Sequence, residues 1–96
     1  MATELPILQC TLDAEGNRQQ AARYAEVARH VTKLDRNPHS LIAAVDAEVD
    51  RQLLDELIQT ERACCSFFTI TFDGATLTYA TEHTRALDVI AEALSR

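Results

Sequence analysis

Residues 67–81 read FFTITFDGATLTYAT, and they carry the clearest secondary-structure signal in the chain. Asp73-Gly74 separates two runs in which apolar and polar residues alternate, as a two-residue type I′ hairpin turn would. With this dipeptide at the tip, every large apolar side chain lies on one face of the hairpin, and a one-residue slip would destroy that agreement. The predicted cross-strand pairs are Phe72 with Ala75, Ile70 with Leu77 and Phe68 with Tyr79.

Hydrophobic periodicity predicts two further strands and three helices in the rest of the chain. Residues 7–12 form a strand with one buried face, and the nearly uncharged residues 40–45 are typical of an inner parallel strand that is buried on both faces. The first predicted helix is opened by Asn17 and has an apolar stripe of Tyr24, Val27, Ala28, Val31 and Leu34. The second is capped by Asp46 and runs from about Val49 into Cys65. The third is capped by Thr81 or Thr84 and carries Leu87, Ile90 and Leu94 at helical spacing.

The predicted element order is β-α-β-α-β-β-α, which indicates a single α+β domain over residues 1–96. Its first β-α-β unit should make a right-handed crossover between parallel strands, and the last two strands pair antiparallel. We therefore expect a mixed four-stranded sheet with three helices, an order that also occurs in the thioredoxin-like fold. The redox motif C-x-x-C of that fold is absent, because Cys10 stands alone before the first helix.

Size and charge exclude several classes of protein. The chain has 96 residues, with 15 acidic and 9 basic side chains and a net charge of -6, so its average field repels nucleic acid and anionic membrane surfaces. It contains neither a signal-peptide pattern nor an apolar run of about 18 residues. We therefore expect a cytoplasmic protein without nucleic-acid or membrane partners, whose three cysteines are thiols.

The candidate site lies where the second helix meets the third strand. Glu61 stands one helical turn before Cys64 and Cys65, so a carboxylate and at least one sulfur share a face. Cys10, on the neighbouring predicted strand, can point toward the same helix end. Converging thiolates favour a soft ion such as Zn(II), Cu(I), Hg(II) or trivalent arsenic.

Other interpretations of these cysteines stay open. Free cysteine is among the most buried residue types, so Cys10 and one of the adjacent pair can simply fill the core. Nucleophilic catalysis is disfavoured, because the helix C-terminus and Glu61 both raise the pKa of a nearby thiol. A vicinal Cys64-Cys65 disulfide is the redox alternative, and it should be easily reduced. The pattern favours a binding protein over an enzyme.

The segments LIQTERACCSFFTITF (residues 57–72) and EHTRALDVIAEAL (residues 82–94) resemble a family of small, largely uncharacterised bacterial domains marked by E-x-x-C-C-x-F. Members of this family stand alone or are fused behind regulators of the MerR type. The resemblance implies a link to sensing or handling thiophilic metals or metalloids through Cys64 and Cys65, with Glu61 as the matching acid. Ser66 replaces the proline that usually follows the cysteine pair.

Two functional hypotheses follow from these observations. The first is a small thiol-dependent protein that binds a thiophilic metal or metalloid ion for sensing, buffering or delivery. The alternative is a protein-interaction or small-ligand-binding accessory module whose cysteines are structural. If residues 76–81 form an uncovered edge strand, a homodimer can form through them.

Overall fold

The computed structural model describes residues 14–95, which form three helices and four strands of an α+β fold. The elements in chain order are α1 (Ala14–Ala28), β1 (Val31–Arg36), β2 (Ser40–Val45), α2 (Arg51–Cys64), β3 (Thr69–Asp73), β4 (Thr76–Ala80) and α3 (Thr84–Leu94). The α+β class and the three helices are confirmed, whereas β1 was not predicted as a strand. The strand predicted over residues 7–12, including Cys10, lies outside the described residues.

The four strands form one antiparallel sheet in the order β1-β2-β4-β3. The described elements therefore follow the order α-β-β-α-β-β-α. The expectation of a mixed sheet with thioredoxin-like order is wrong for residues 14–95, because every strand pairing there is antiparallel. The predicted crossover starts from residues 7–12, which lie outside the described residues. β4 lies between β2 and β3, so residues 76–81 have no open edge through which a dimer could form.

The first helix is shorter than predicted, because residues 31–36 form β1 instead of its last turns. The register of β1 against β2 shifts between Val31 and Lys33, as a β-bulge does. One extra residue changes the alternation of side chains along a strand. Val31 and Leu34 are therefore both partly buried at a spacing of three, which imitates a helical stripe. Asn17 lies inside α1 and does not cap it.

The predicted hairpin is present, but its turn is displaced. Asp73 pairs with Thr76, so Gly74 and Ala75 form the turn, and Phe72 faces Leu77. Gly74 has a φ of 66°, and none of the other described residues has a positive φ. A type I′ turn needs positive φ at both central positions, which is costly for alanine. Because Ala75 does not have a positive φ, the turn is not the predicted type I′. The pairing moves by two residues relative to the prediction, so the same apolar face stays buried.

The core lies between the helices and one face of the sheet. Burial alternates along β2, where Leu41, Ala43 and Val45 are buried and the residues between them are only partly so. β2 is thus an inner strand, as predicted, but it pairs antiparallel and only one of its faces is fully buried, so the expected parallel pairing and burial on both faces are wrong. None of the helices within residues 14–95 has both the length and the apolar character needed to cross a bilayer.

The helix caps differ from the predicted ones by a few residues. Asp50, not Asp46, caps α2, and its side chain accepts a hydrogen bond of 3.1 Å from the Leu53 amide. His83 occupies the N-cap position of α3 without a side-chain cap. Thr81 lies two residues earlier, and its hydroxyl accepts from the His83 amide at 3.1 Å. The Asp50 cap fixes the residue at which α2 begins.

Candidate metal site

The last turn of α2 brings Glu61, Cys64 and Cys65 together, as the spacing predicts. A carboxylate oxygen and the two sulfur atoms all lie within 4.8 Å of one another. The helix ends at Cys64, and Cys65 occupies the C-cap position with its amide donating to the Glu61 carbonyl at 2.7 Å. Within residues 14–95, this is the one group of three or more metal-ligating side chains close enough to share an ion. Cys10, the further predicted ligand, lies outside the described residues.

The two adjacent sulfurs are in different chemical states. Cys64 is a half-buried free thiol, whereas Cys65 is only 2% exposed and is disulfide-bonded. The expectation that all cysteines are thiols is therefore wrong for Cys65. The two Sγ atoms are 3.5 Å apart, far longer than a disulfide bond of about 2.05 Å. They form no vicinal disulfide, and the Cys64 thiol donates a weak hydrogen bond to the Cys65 sulfur.

Glu61 is a buried carboxyl group, only 6% exposed. Its Oε2 accepts hydrogen bonds from Gln20 Nε2 at 3.1 Å and from the Tyr24 hydroxyl at 2.9 Å. Its Oε1 is also buried, and no group in the described part of the chain donates a hydrogen bond to it. Burial raises the pKa of Glu61, and the hydrogen bonds from Gln20 and Tyr24 partly oppose that rise. Oε1 is thus the oxygen available to bind a proton or a cation.

A chain of hydroxyl groups leads from Glu61 into the core. The Tyr24 and Tyr79 oxygens are 2.8 Å apart. Tyr24 uses its only proton toward Glu61, so the Tyr79 hydroxyl donates to the Tyr24 oxygen. Burial is the main cause that raises the pKa of Tyr24 and of Tyr79. Both phenols therefore stay protonated and supply fixed donors that hold the Glu61 carboxyl group in one orientation.

Gln20 ties α1 to the site by several hydrogen bonds. Its Nε2 donates to the Leu57 carbonyl at 3.0 Å as well as to Glu61, and its Oε1 accepts from Arg23 at 2.8 Å. Sequence reasoning did not identify Gln20, Tyr24 or Tyr79 as site residues, because α1 and β4 are distant from Glu61 along the chain. The sequence feature that points to the two tyrosines is the hydroxyl group at the end of each predicted core side chain, since a buried phenol needs a hydrogen-bond partner.

Burial raises the pKa of the Cys64 thiol to about 11, and the nearby Glu61 carboxyl adds to the rise. The direction agrees with the sequence prediction, but burial, which that prediction did not include, is the larger cause. An unligated Cys64 is protonated at neutral pH and is a weak nucleophile. A metal ion changes this, because it binds the thiolate and displaces the proton.

The three histidines take part in other contacts. His30 Nδ1 lies 2.9 Å from Asp46 Oδ1, and its Nε2 lies 3.5 Å from Glu26. His39 Nδ1 lies 3.9 Å from Glu82. The His83 ring packs edge-on against Phe67, with ring centroids 4.8 Å apart. None of these contacts involves the sulfur atoms of Cys64 or Cys65.

An open groove of about 300 Å³ lies between α2 and the β3 side of the hairpin. Its lining residues are Arg51, Leu54, Asp55, Ile58, Gln59, Arg62 and Phe72. Arg62 donates to the Ile70 carbonyl at 2.6 Å, and the Arg51 guanidinium lies 5.3 Å from the centre of the Phe72 ring. Both guanidinium groups thus already contact the protein, and the volume is at the lower limit of about 300 Å³ for small-molecule pockets.

No protein-family model matches this chain, and neither does any curated protein or solved structure. The resemblance to the E-x-x-C-C-x-F family therefore stays a prediction from the residues themselves. Function is accordingly inferred from the geometry of the last turn of α2.

Proposed function

We propose that this protein, in its reduced form, binds one thiophilic metal ion through Cys64, Cys65 and Glu61. Zn(II), Cu(I) and Hg(II) are the candidate ions, and a reducing compartment such as the cytoplasm would supply the reduced form. The proposal concerns the dithiol state, in which the Cys65 disulfide has been opened.

The separation of the two sulfurs is the observation that carries the proposal. Two thiolates on one tetrahedral zinc ion, each at about 2.3 Å, are about 3.8 Å apart. The Cys64 and Cys65 sulfurs are already 3.5 Å apart. A small outward movement of either side chain would therefore suffice to bind the ion, although the two residues are adjacent in the chain.

Glu61 supports the proposal as the third ligand. Its Oε1 is a buried oxygen to which none of the described groups donates, and an unpartnered buried polar atom normally costs about 1 to 3 kcal/mol. A cation at this position would neutralise the carboxylate and end that cost. Gln20 and Tyr24 would meanwhile keep Oε2 fixed, as outer partners of metal ligands usually do.

Two sulfurs and one oxygen leave a coordination position open. Structural zinc sites are closed by four protein ligands, whereas sites that exchange a ligand keep one position open. Such a site suits transient binding, as in sensing, buffering or delivery, better than a permanent structural role.

Native mass spectrometry tests the proposal directly. The protein is reduced, freed of reductant without air, and titrated separately with Zn(II), Cu(I) and Hg(II). We expect one ion per chain for the wild type and an affinity at least about 100-fold lower for Cys64→Ser, because loss of a ligand exceeds the effect of losing an outer partner. Ser66→Ala, next to the pair but not a ligand, is the matched control. Equal affinity of Cys64→Ser and wild type would refute the proposal.

A second candidate function is an interaction module with structural cysteines. The burial of Cys65 at 2% exposure and its place in the hydrophobic core favour it. In that case the sulfurs of the reduced, folded protein should react with a thiol reagent only after unfolding. Rapid modification of Cys64 in the folded state would contradict this alternative.

A further inference from the structure

We propose that the disulfide of Cys65 controls the metal site, so that the protein binds its ion only after a two-electron reduction. This inference rests on the proposed function and adds its regulation. The two neighbouring sulfurs differ, since Cys64 is a free thiol and Cys65 is disulfide-bonded. The Cys64 and Cys65 Sγ atoms lie 3.5 Å apart.

The oxidised site lacks a ligand that the reduced site possesses. A soft cation binds the thiolate form of cysteine, and a sulfur in a disulfide has neither a negative charge nor a proton that a metal can displace. Before reduction, Cys64 and Glu61 are the only members of the three-residue group that can bind as anions. After reduction, Cys65 adds a second thiolate.

The chemical step is thiol–disulfide exchange with a dithiol reductant. One thiolate of the reductant attacks the disulfide, forms a mixed disulfide and releases one protein sulfur. The second thiolate of the reductant then attacks the mixed disulfide and releases the other protein sulfur. The reductant becomes a cyclic disulfide, and the protein gains two electrons and two protons as two thiols. A divalent ion then displaces the protons of Cys64 and Cys65, and these protons pass to solvent.

The site is arranged for binding before the disulfide opens. The carboxylate oxygen and both sulfurs lie within 4.8 Å of one another while Cys65 is still oxidised. Gln20 and Tyr24 hold Glu61 through contacts that do not involve sulfur. Among the three ligand atoms, reduction therefore changes only the Cys65 sulfur and needs no rearrangement of α2.

Thermodynamic linkage makes this control reciprocal. If reduction increases the affinity for the ion by a given factor, the bound ion must favour the reduced form by the same factor. The protein would then couple two signals, the thiol redox state of its compartment and the local concentration of a soft metal ion.

The test is a zinc titration of the same protein in two redox states. Zn(II) is the probe because it neither oxidises thiols nor reduces disulfides. The oxidised form is purified without reductant, and the reduced form is prepared with a dithiol that is then removed without air. Intact mass verifies each state, since reduction adds two hydrogens. We expect the reduced form to bind one Zn(II) at least about 100-fold more tightly than the oxidised form.

Two variants separate this control from the binding site itself. Cys65→Ala lacks this disulfide and keeps only one of the two sulfur ligands of the site, so its weak affinity should not change with reductant. Cys64→Ser keeps Cys65 and should bind weakly in both states. Circular dichroism confirms that each variant is folded.

The possible results distinguish the two proposals. Equal, tight binding by oxidised and reduced wild type that is lost in Cys64→Ser would overturn the redox control and the role of Cys65, while metal binding at Cys64 would stand. No binding by either state would overturn the proposed function, and the control with it. A difference between the states that persists in Cys65→Ala would assign the control to another group and overturn this inference.

Discussion

The two ends of α2 differ in how their polar groups are satisfied. At the N-terminal end, the exposed Asp50 side chain accepts a hydrogen bond from the Leu53 amide, so an N-cap satisfies this backbone donor of the first turn. At the C-terminal end, a buried carboxyl group has one oxygen to which no described group donates a hydrogen bond, next to two sulfurs. A buried, incompletely satisfied acid destabilises a fold. Of the two ends of α2, the C-terminal end is therefore the one whose polar groups are not arranged for stability alone.

The largest expected effect on stability lies in the hydroxyl chain at the C-terminal end. Tyr24→Phe removes a donor to Glu61 and leaves the buried Tyr79 hydroxyl without its acceptor, so we expect a loss of about 2 kcal/mol in the free energy of unfolding. Tyr79→Phe removes only the donor farthest from Glu61, and we expect a loss of about 1 kcal/mol in the free energy of unfolding. Urea denaturation measures both. A larger loss for Tyr79→Phe would contradict a chain in which Tyr79 donates to Tyr24 and Tyr24 donates to Glu61.

A smaller effect is expected at the N-terminal end. Asp50→Ala removes the capping hydrogen bond and should cost about 1 kcal/mol. The 14 residues of α2 separate its ends by about 20 Å, so this loss should add to that of Tyr24→Phe within about 0.5 kcal/mol. Asp50→Ala should also leave the zinc affinity of the reduced protein unchanged. Marked non-additivity in denaturation, or weaker zinc binding, would show that the two ends are coupled.

The smallest effect is a pH dependence of stability that originates at Glu61. Its pKa is raised in the folded state from an ordinary value of about 4.5, so the folded protein holds this proton more tightly than the unfolded chain does. The stabilisation is complete below the unfolded pKa and is lost as the pH rises through the folded pKa. We expect Glu61→Gln to remove this fall in stability.

The control for this prediction is Glu48→Gln, which changes an exposed glutamate near the opposite end of α2. Denaturation of the metal-free protein over a series of pH values compares the three proteins. If Glu61→Gln retains the wild-type pH dependence, another group causes it.

The second half of the fold was largely predictable because its signals are local. The alternation on both sides of Asp73-Gly74, the stripe of α2 and the spacing of Leu87, Ile90 and Leu94 depend only on neighbouring residues. The first half was not predictable in this way. The sequence has neither Gly nor Pro between Ala28 and Val31, and the bulge in β1 gives Val31 and Leu34 a helical spacing.

The same contrast applies to the site. Glu61, Cys64 and Cys65 belong to one helical turn, so their proximity follows from periodicity alone. The partners that orient Glu61 come from α1 and β4, and the packing of three elements brings them there. The redox state of Cys65 depends on a covalent bond that spacing does not reveal, which is why the sequence predicted a thiol.

We propose that Cys64, Cys65 and Glu61 together bind one soft metal ion in the reduced protein. X-ray absorption at the zinc edge of reduced protein loaded with one Zn(II) per chain identifies the ligands of the ion. We predict two sulfur neighbours at about 2.3 Å and a shell of oxygen neighbours at about 2.0 to 2.2 Å, with the oxygen shell altered in Glu61→Gln. A zinc ion with no sulfur neighbours, or with four, would contradict it.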